Sequence, residues 1–592
     1  MNNVEELYQQ GVELYRQQKF IEAKDIFLKA SKLVPNDPQI ARMLAVLLAQ
    51  LGNFKEARIY FEISLKYSIE KPSLQFLNNY GLILRKTGDS KEAIKIFRQI
   101  IYRDKNSAEA WTNLGGCYNA FFQLNEAVKC FEKVREIVKD DPNILTRLSF
   151  SYHSLCMWDK AKEVDSKLVE ISKSKMAIGE PSPLNVHSAF FLDIDGFLFK
   201  ELAENRCFHM KKKQQASGIF LQQRPSRDNH GRIKVGYVSS ALKRHATAFL
   251  VQDLFRHHDY DKFEVFIYAL NVKGECPYYD KISSSGAHIY ELSSKSELEV
   301  AEFIQSHEID VLIDLDGEIS RSQPGVFLLK PAPVQVTWLG TPVTSGAPWM
   351  DYILVDDVIV PIELENHYTE EILRMPNSFF FNSCTSLPLI ESKKEDWNLP
   401  TDKFIFASFN ISRKIDQTSF QAWCSILKGV ENSVLWILVD DEMTLKNLRK
   451  EMKQQGVDAD RLIIADRLSN EDHLSRLQHA DLMLDCFVCN AHTTCVEALY
   501  AHLPVLTKIG ETFISRVAAS ILSAGKLDSL ITHTIDEFVE RGIEIGNSAE
   551  ELARLKNHLS ENKNDLPVFD QRQWVKDWEQ ILQEITQNKG LC

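Results

Sequence analysis

The chain has 592 residues, too many for one hydrophobic core, and this length predicts several domains. Its apolar content of 44% is ordinary for a globular protein, and its formal net charge of -13 argues against nucleic acid or an anionic membrane as the main partner. The N-terminus has no signal-peptide core, and no run of about 18 apolar residues occurs. We therefore expect a cytoplasmic protein whose 11 cysteines are reduced thiols.

An internal repeat with a period of about 34 residues organises the first third of the chain. One series of small residues consists of Ala23, Ala57, Ala93, Ala127 and Ala161, and a second of Gly11, Ala45, Gly81, Gly115 and Ser149. Aromatic residues follow the first series at Phe27, Phe61, Phe97 and Phe131. The pattern resembles tetratricopeptide repeats, in which two antiparallel helices touch at small side chains, and it predicts an all-α solenoid over residues 1–175.

The helix that should line the groove of this solenoid carries a polar residue two positions before each small one. These residues are Gln9, Met43, Asn79, Asn113 and Arg147, with Met43 interrupting the polar series. The two asparagines are suited to hydrogen-bond an extended peptide backbone. Polar side chains that simply face solvent explain the same pattern, as does a helical array without a ligand.

The pattern changes after the solenoid. Pro181 and Pro183 end the helical array, and we expect a helical linker over residues 176–230. Short apolar runs then alternate with helical segments. The predicted strands are 233–238, 263–269, 309–314, 334–338 and 352–355, followed by 404–409, 434–439, 461–465, 482–485 and 504–507.

Strands that alternate with helices predict parallel, doubly wound sheets. Two such sets in succession indicate two Rossmann-like α/β lobes, at 231–382 and 383–592, the second including an amphipathic end helix with Trp574 and Trp578. Ligands of open α/β sheets bind at the carboxyl ends of the strands, so we expect both lobes to present loops to the cleft between them.

One strand–turn–helix segment stands out within the second lobe, LDCFVCNAHTTCVEALY at 484–500. The turn opens a helix, and free N–H groups at a helix N-terminus suit an anion such as a diphosphate. Cys486, Cys489, His492 and Cys495 also raise a zinc alternative. Structural zinc usually takes ligands from two separated pairs, and a metal here would disturb the turn, so we expect no metal.

Several long segments resemble the protein O-linked N-acetylglucosamine transferases, a family of SPINDLY-like and O-GlcNAc-transferase-like proteins. The segments are KVGYVSSALKRHATAFLVQD (234–253), LLKPAPVQVTWLGTPVTSGAPWMDYILVDD (328–357), FNISRKIDQTSFQAWCSILKGVENSVLWIL (409–438) and the stretch from 484 to RVAAS (516–520). The resemblance covers essentially the whole chain. It implies tetratricopeptide repeats joined to a GT-B glycosyltransferase, with a UDP-sugar as co-substrate and no further cofactor.

The resemblance also implies roles for residues of the second lobe. Lys414 corresponds to the lysine that contacts the donor diphosphate, where a fixed ammonium stabilises the charge of the leaving group. His492, Thr493 and Thr494 correspond to the turn that grips the diphosphate. Glu497 is expected at the ribose hydroxyls, with His473 and Arg476 on the uracil side of the nucleotide.

In the first lobe, His245 corresponds to a histidine near the acceptor and donor, and imidazole is a plausible general base near neutral pH. Asp316 follows a predicted strand and is a second catalytic candidate. Gly340, Pro342 and Thr344, in WLGTPVTSG, are expected to shape the wall around the sugar.

The chain departs from the family pattern at Ile411, Val343, Glu318 and Asp316. The leading interpretation is an inverting, metal-independent enzyme that transfers N-acetylglucosamine from UDP-N-acetylglucosamine to Ser or Thr of proteins bound in the repeat groove. The departures leave open UDP-glucose or GDP-fucose as donor, or Asn as acceptor. A non-catalytic repeat scaffold is the alternative outside enzymes.

Overall fold

The computed structural model of the protein describes residues 2–222, 231–272, 274, 276–319 and 321–591, so part of the predicted linker, 223–230, lies outside the described residues. The chain forms two compact units, Met1–Ser151 and Tyr152–Cys592. Within the described residues, no helix is both long and apolar enough to cross a membrane.

The first unit is built from helix pairs. Its helices are α1 (Asn2–Arg16), α2 (Phe20–Leu33), α3 (Pro38–Gln50), α4 (Phe54–Tyr67), α5 (Leu74–Lys86), α6 (Ser90–Arg103), α7 (Ala108–Ala120) and α8 (Leu124–Ile137), and α9 (Pro142–Ser154) starts in it. The helices of a pair meet at the predicted small residues: a Cβ atom on Gly115 would lie 2.5 Å from the Phe131 ring, and one on Gly81 would lie 2.6 Å from the Phe97 ring. These contacts confirm the predicted repeats.

The second unit begins with helices that pack against the two sheets. They are α10 (Trp158–Ala177), α11 (Val186–Ala189) and α12 (Gly196–Ser217). The N-terminus of α12 is capped by Asp195, whose carboxylate accepts the backbone N–H of Leu198 at 2.8 Å. Lys200 of α12 donates to the carbonyl of Asn366 at 2.9 Å, which attaches the helix to the first lobe.

The first lobe contains a seven-stranded parallel sheet in the order β3-β2-β1-β4-β5-β6-β7. Its strands are β1 (Ile233–Ser239), β2 (Phe263–Ala269), β3 (His288–Glu291), β4 (Val311–Asp314), β5 (Val334–Thr337), β6 (Tyr352–Asp356) and β7 (Glu371–Met375), and its helices are α13 (Ala246–Val251), α14 (Pro277–Ser283), α15 (Glu297–Ser306) and α16 (Pro324–Leu328). The five predicted strands are all present. The prediction missed β3 and β7, because these two edge strands are partly exposed and have no continuous apolar run.

The second lobe contains a six-stranded parallel sheet in the order β10-β9-β8-β11-β12-β13. The strands are β8 (Phe404–Ser408), β9 (Ser433–Leu438), β10 (Leu462–Ala465), β11 (Leu482–Leu484), β12 (Val505–Lys508) and β13 (Ile531–Thr532). The helices are α17 (Gln417–Gly429), α18 (Glu442–Gln454), α19 (Asn470–Leu477), α20 (Thr493–Tyr500), α21 (Val517–Ala524), α22 (Ile535–Asn547), α23 (Ala549–Glu561) and α24 (Gln571–Asn588). The sequence missed only the two-residue edge strand β13.

The end helix α24 follows the second lobe in sequence but packs on the first. The Trp578 indole N–H donates to the Tyr237 hydroxyl at 2.9 Å, and the Trp574 ring stacks on Trp338 with centroids 5.0 Å apart. The Glu579 carboxylate accepts the backbone N–H of Asp259 at 2.7 Å. The boundaries expected from the sequence placed this helix with the second lobe; its apolar face instead covers β1 and its neighbours.

Candidate functional site

Lys414 lies in a short 3₁₀ turn, Ser412–Lys414, that follows β8 at the carboxyl edge of the second sheet. Its Nζ atom donates to the backbone carbonyl of Asn490 at 2.7 Å. The carbonyl fixes one of the three ammonium hydrogens, and the Cys489 thiol also interacts with the ammonium. Lys414 is half-buried, so its charge is held in place and still reaches the surface.

Residues from the start of the second unit hold the Lys414 turn from both sides. The Cys156 thiol lies 3.7 Å from the carbonyl of Ser412, and the Trp158 indole N–H donates to the carbonyl of Ile415 at 2.8 Å. The indole also packs against the Phe420 ring at 5.7 Å between centroids. Sequence reasoning did not find this support, because the partners of the Trp158 bond lie 257 positions apart.

Asp485, directly after β11, organises the loop that carries Asn490. Its carboxylate accepts hydrogen bonds from the Thr507 hydroxyl at 2.8 Å, from the backbone N–H groups of Ala491 at 2.7 Å and Cys486 at 2.8 Å, and from the Asn410 amide at 3.3 Å. Complete burial raises the pKa of Asp485 to about 6, and these hydrogen bonds together with the charge of Lys414 oppose that rise. Asp485 therefore fixes the geometry of the loop on which Lys414 depends.

The predicted strand–turn–helix segment is present, and its turn opens α20. His492 occupies the N-cap position, and its ring Nε2 lies 3.3 Å from the carbonyl of Ile514. Burial and the nearby charge of Lys414 hold the pKa of His492 well below its ordinary value, so the ring is neutral. Thr494 donates to the Asn410 side-chain oxygen at 3.1 Å, while Thr493 is half-buried in the first turn. The first-turn N–H groups of an eight-residue helix point out of this turn.

His473, Arg476 and Glu497 lie together beside the turn. The Arg476 Nε donates to His473 Nδ1 at 3.0 Å, and the guanidinium stacks on the Phe409 ring at 4.6 Å. Burial and the Arg476 charge lower the pKa of His473 to about 3. His473 Nε2 lies 3.8 Å from the Glu497 carboxylate, and burial raises the pKa of Glu497 to about 8. The cluster is therefore a neutral acid beside a neutral imidazole near pH 7.

Arg476 is only 2% exposed, and its guanidinium also donates to the carbonyl of Asp466. This burial directs Arg476 toward the protein interior, where it orients His473. The α19 helix that carries both residues also reaches the first lobe, because the Asn470 amide donates to the Tyr278 hydroxyl at 2.8 Å.

In the first lobe, His245 is the N-cap of α13, and its Nδ1 accepts the backbone N–H of Thr247 at 3.2 Å. A neutral ring that accepts at Nδ1 carries its hydrogen on Nε2. Although the residue is exposed, the protein atoms around the ring and the charge of Lys243 lower the pKa of His245, and Asp316 opposes this shift. This geometry presents His245 as a hydrogen-bond donor.

Asp316 is 2% exposed and fully engaged by its own lobe. One carboxylate oxygen accepts the Ser239 hydroxyl at 2.6 Å and the other accepts the backbone N–H of Ser240 at 2.5 Å. Burial raises the pKa of Asp316 and these bonds oppose the rise. The neighbouring Asp314 accepts the backbone N–H groups of Asp316 and Gly317, and surrounding protein atoms together with the charge of Asp316 raise its pKa to about 7.

The WLGTPVTSG segment approaches these aspartates through its backbone. A Cβ atom on Gly340 would lie 2.3 Å from the carbonyl oxygen of Leu315, so only glycine fits there. Pro342 is half-buried. Thr344 is 3% exposed, and its hydroxyl donates to Glu370 at 2.6 Å. Thr344 is expected to help shape the wall around the sugar, and its hydroxyl is engaged within the first lobe.

The departures from the family pattern have different environments. Glu318 forms an ion pair with Arg206 of α12, and Val343 is buried at 4% exposure. Ile411 is 37% exposed just before the Lys414 turn. The cysteines of the anion-binding turn are buried, and burial raises the pKa values of Cys486 and Cys495 well above the ordinary value. In the described part of the chain, no group of three or more His, Cys, Asp or Glu residues is arranged to hold a metal ion.

The second unit thus contains two Rossmann-like lobes, and a fixed lysine lies beside a helix N-terminus at the carboxyl edge of the second sheet, where ligands of such folds bind. The chain belongs to glycosyl transferase family 41, whose sequence model matches residues 155–388 and 383–578. Tetratricopeptide repeat models match residues 8–72, 74–107 and 108–137.

Curated relatives agree with this assignment. The chain is 29% identical over 438 residues to the "Probable UDP-N-acetylglucosamine--peptide N-acetylglucosaminyltransferase SEC" of Arabidopsis thaliana, covering 72% of this chain and 45% of the relative. It is 25% identical over 549 residues to the "UDP-N-acetylglucosamine--peptide N-acetylglucosaminyltransferase" of Caenorhabditis elegans, covering 73% of this chain and 48% of the relative. The chain thus spans about half the length of the curated relatives it matches.

The chain also resembles a solved structure over nearly its whole length. A mutant of the Thermobaculum terrenum O-GlcNAc transferase aligns with a TM-score of 0.64 at 20% identity, covering 98% of this chain and 97% of that one. This similarity shows a shared fold, with repeats followed by two parallel-sheet lobes.

Proposed function

We propose that this chain transfers N-acetylglucosamine from UDP-N-acetylglucosamine to serine or threonine hydroxyls of acceptor proteins in the cytoplasm. The observation that carries the proposal is the Lys414 ammonium, held at 2.7 Å by the carbonyl of Asn490 in the loop that leads into α20. Membership of glycosyl transferase family 41 and the printed names of the curated relatives support the donor and the protein acceptor.

In the proposed reaction, the acceptor hydroxyl oxygen attacks the anomeric carbon from the side opposite the diphosphate, so the configuration inverts. The bond from that carbon to the diphosphate oxygen breaks, UDP leaves with the bonding electron pair, and the proton of the acceptor hydroxyl is released to water. Negative charge grows on the diphosphate as the bond breaks, and Lys414 stabilises it more in the transition state than in the ground state. The first-turn N–H groups at Thr493 and Thr494 add positive potential, and His492 completes the turn without charge. We infer that this arrangement makes a metal ion unnecessary.

We assign the nucleoside side of the site to His473 and Glu497. A neutral Glu497 can donate one hydrogen bond and accept others, which suits the two hydroxyls of a ribose. Arg476 positions His473 through the 3.0 Å bond to Nδ1, so we expect it to act on nucleotide binding through that imidazole.

His245 and Asp316 act on the acceptor side in this proposal. Because His245 Nδ1 accepts the Thr247 N–H, its Nε2–H is available to donate to an oxygen of the reacting groups. We therefore propose His245 as a donor that orients these groups, and Asp316 as the carboxylate that fixes the Ser239–Ser240 loop beside it. Gly340 and Pro342 shape the wall next to this loop.

A different donor sugar is the second candidate, and Ile411 favours it. This exposed apolar side chain directly precedes the Lys414 turn, at one of the positions where the chain departs from the family pattern. UDP-glucose and GDP-fucose remain the alternatives, with Asn as an alternative acceptor.

Thermal shift with a donor panel tests the nucleotide first. The ligands are UDP, UDP-N-acetylglucosamine, UDP-glucose, GDP and GDP-fucose, each with and without EDTA. We expect UDP and UDP-N-acetylglucosamine each to raise the melting temperature, because a ligand that binds only the folded state stabilises it. The rise should be the same with and without EDTA. Stabilisation by GDP-fucose alone supports the second candidate, and stabilisation by none of the ligands contradicts both.

Mass spectrometry of proteins co-expressed with the chain tests the transfer itself. An added N-acetylhexosamine on Ser or Thr supports the proposal, and a hexose, a deoxyhexose or a modified Asn identifies the alternative. Modification of no protein, under conditions in which UDP-N-acetylglucosamine binds, would favour the scaffold interpretation.

A further inference from the structure

Two arginine side chains of the first unit reach toward the same residue of one helix. Arg85 on α5 and Arg147 on α9 both point toward Gly116 on α7. Their Nη1 atoms lie 2.7 Å and 4.0 Å from the point that a Cβ atom on Gly116 would occupy. The missing side chain of Gly116 therefore provides the space into which both guanidinium groups reach.

No carboxylate of the described residues pairs with either of these two cations. In the described part of the first unit, neither guanidinium has a carboxylate at ion-pair distance; Arg147 instead lies over the Phe131 ring at 5.7 Å. The nearest acidic residue in sequence on α7, Glu109, accepts the Asn78 amide at 2.6 Å. Partial removal from water and the positive charge of Arg85 lower the pKa of Arg147. Two like charges this close favour an anion between them.

The pair lies on the helix face that the repeats direct toward a peptide. Arg147 occupies the groove position of its repeat, and Asn113 precedes Gly116 by three positions on the same face of α7. The Asn113 amide donates to the Asn78 side-chain oxygen at 2.9 Å, and Asn79 accepts the Gln75 amide at 3.3 Å. These amides keep hydrogen-bonding atoms for a peptide backbone, whereas the arginines are suited to a negatively charged group.

We propose that Arg85 and Arg147 bind a carboxylate of an acidic peptide segment seated over Gly116. Guanidinium groups match carboxylates in geometry and form charge-assisted, bidentate hydrogen bonds to them. In a chain with a formal net charge of -13, two cations without a carboxylate partner form a local positive site that favours an acidic peptide over a neutral one. The inference rests on the proposed function in one respect, namely that the bound peptide belongs to the acceptor protein. Binding of the peptide does not require sugar transfer.

The carboxylate has two sources, an Asp or Glu side chain or the C-terminus of a chain, and a peptide array separates them. One arm carries amidated octapeptides with Glu–Glu, Gln–Gln or Lys–Lys at the centre of a Gly/Ser background. The other arm carries the Gln–Gln peptides with a free C-terminal carboxylate. The full-length chain is applied without nucleotide sugar, and bound protein is measured at low and at physiological salt.

We expect the full-length chain to bind the Glu–Glu peptides about tenfold more tightly than the Gln–Gln peptides, with a smaller ratio at higher salt. A preference confined to the free C-termini assigns the carboxylate to the chain end. Equal binding of all peptides, or binding of none, contradicts the proposal whether or not the chain transfers sugar.

Arg85→Gln, Arg147→Gln and the double variant test the residues. Each should abolish most of the preference for carboxylate peptides. Arg16→Gln is the matched control: Arg16 has the same charge, lies in the same unit, is 74% exposed and pairs with Glu13 only at 3.9 Å. Circular dichroism melts verify folding, and removing one of two like charges should not lower the melting temperature. A carboxylate preference that survives in the folded double variant overturns the proposal.

Discussion

The carboxyl edges of the two sheets use buried aspartates in different ways. In the first lobe, Asp316 is enclosed by the Ser239 hydroxyl and the Ser240 N–H, so its charge is used within that edge. In the second lobe, Asp485 accepts N–H groups of the loop that leads to Asn490, and the Asn490 carbonyl in turn holds Lys414. One edge is a fixed wall, and the other presents a cation. In the proposed function, the second edge therefore carries the chemistry and the first edge shapes the cleft.

The largest effect should come from Lys414→Ala, which removes the cation of the second edge. We expect kcat for donor hydrolysis or transfer to fall by about 10³-fold or more. The reason is that a fixed positive charge beside the leaving diphosphate stabilises mainly the transition state. Steady-state kinetics with UDP-N-acetylglucosamine measures the change. Lys428→Ala, which removes an exposed lysine from the last turn of α17, is the control. A folded Lys414→Ala variant with full activity would show that this ammonium does not stabilise the leaving group, and the contrast between the two edges would fail.

Glu497→Gln tests the neutral acid beside His473. Because burial raises the folded-state pKa of Glu497 from 4.5 to about 8, the folded protein holds this proton more tightly than the unfolded chain does. The resulting stabilisation is complete below the unfolded-state pKa and is lost as pH rises through the folded-state pKa. We expect the free energy of unfolding of wild type relative to the Gln variant to fall by roughly 3 kcal/mol between pH 5 and pH 8.

Urea unfolding at four pH values across that window measures this difference. Glu540→Gln, at an exposed position on α22, should leave the pH dependence of wild type unchanged. If the unfolding free energies of wild type and Glu497→Gln change in parallel from pH 5 to pH 8, Glu497 is already ionised in the folded protein. The neutral acid beside His473 would then be contradicted.

Trp158→Phe keeps an aromatic ring against Phe420 but removes the N–H that holds the carbonyl of Ile415. We expect kcat to fall by about tenfold while KM for the donor changes little, because losing one hydrogen bond loosens the Lys414 turn without removing the ammonium. Trp111→Phe breaks the same kind of bond, from an indole N–H to the carbonyl of Lys105 at 2.9 Å, within the first unit. An equal loss of kcat in Trp158→Phe and Trp111→Phe would show a general effect of removing an indole, and not one specific to the Lys414 turn.

The repeats and the strand–turn–helix segment at His492 were readable from the sequence because their signals are local. Gly115 and Phe131 recur in register with the other repeats, and the turn at His492 follows an apolar strand directly. Such patterns depend on helix and strand periodicity, which one sequence displays.

Other parts of the site were not readable, because they depend on contacts between distant segments. Nothing in the sequence around Trp158 indicates Ile415 as its partner, and nothing near Arg476 shows that its guanidinium stacks on Phe409. The sequence also did not predict that α24 packs on the first lobe. The apolar face of the helix predicts that it is buried, but not which surface covers it.

The smallest effect on activity is expected at the first edge, from Thr344→Val. Valine has the shape of threonine but cannot donate to Glu370 or accept the backbone N–H of Thr369, both of which the Thr344 hydroxyl does. We expect the variant to lose about 2 kcal/mol of unfolding free energy, about 1 kcal/mol for each of the two hydrogen bonds. Thr344→Ser keeps the hydroxyl and should stay closer to wild type. KM for the donor and kcat per folded molecule should be unchanged in both, since the hydroxyl faces the interior of the lobe. A raised KM in Thr344→Val with unchanged stability would instead place this hydroxyl on the sugar and make the first edge a binding surface as well as a wall.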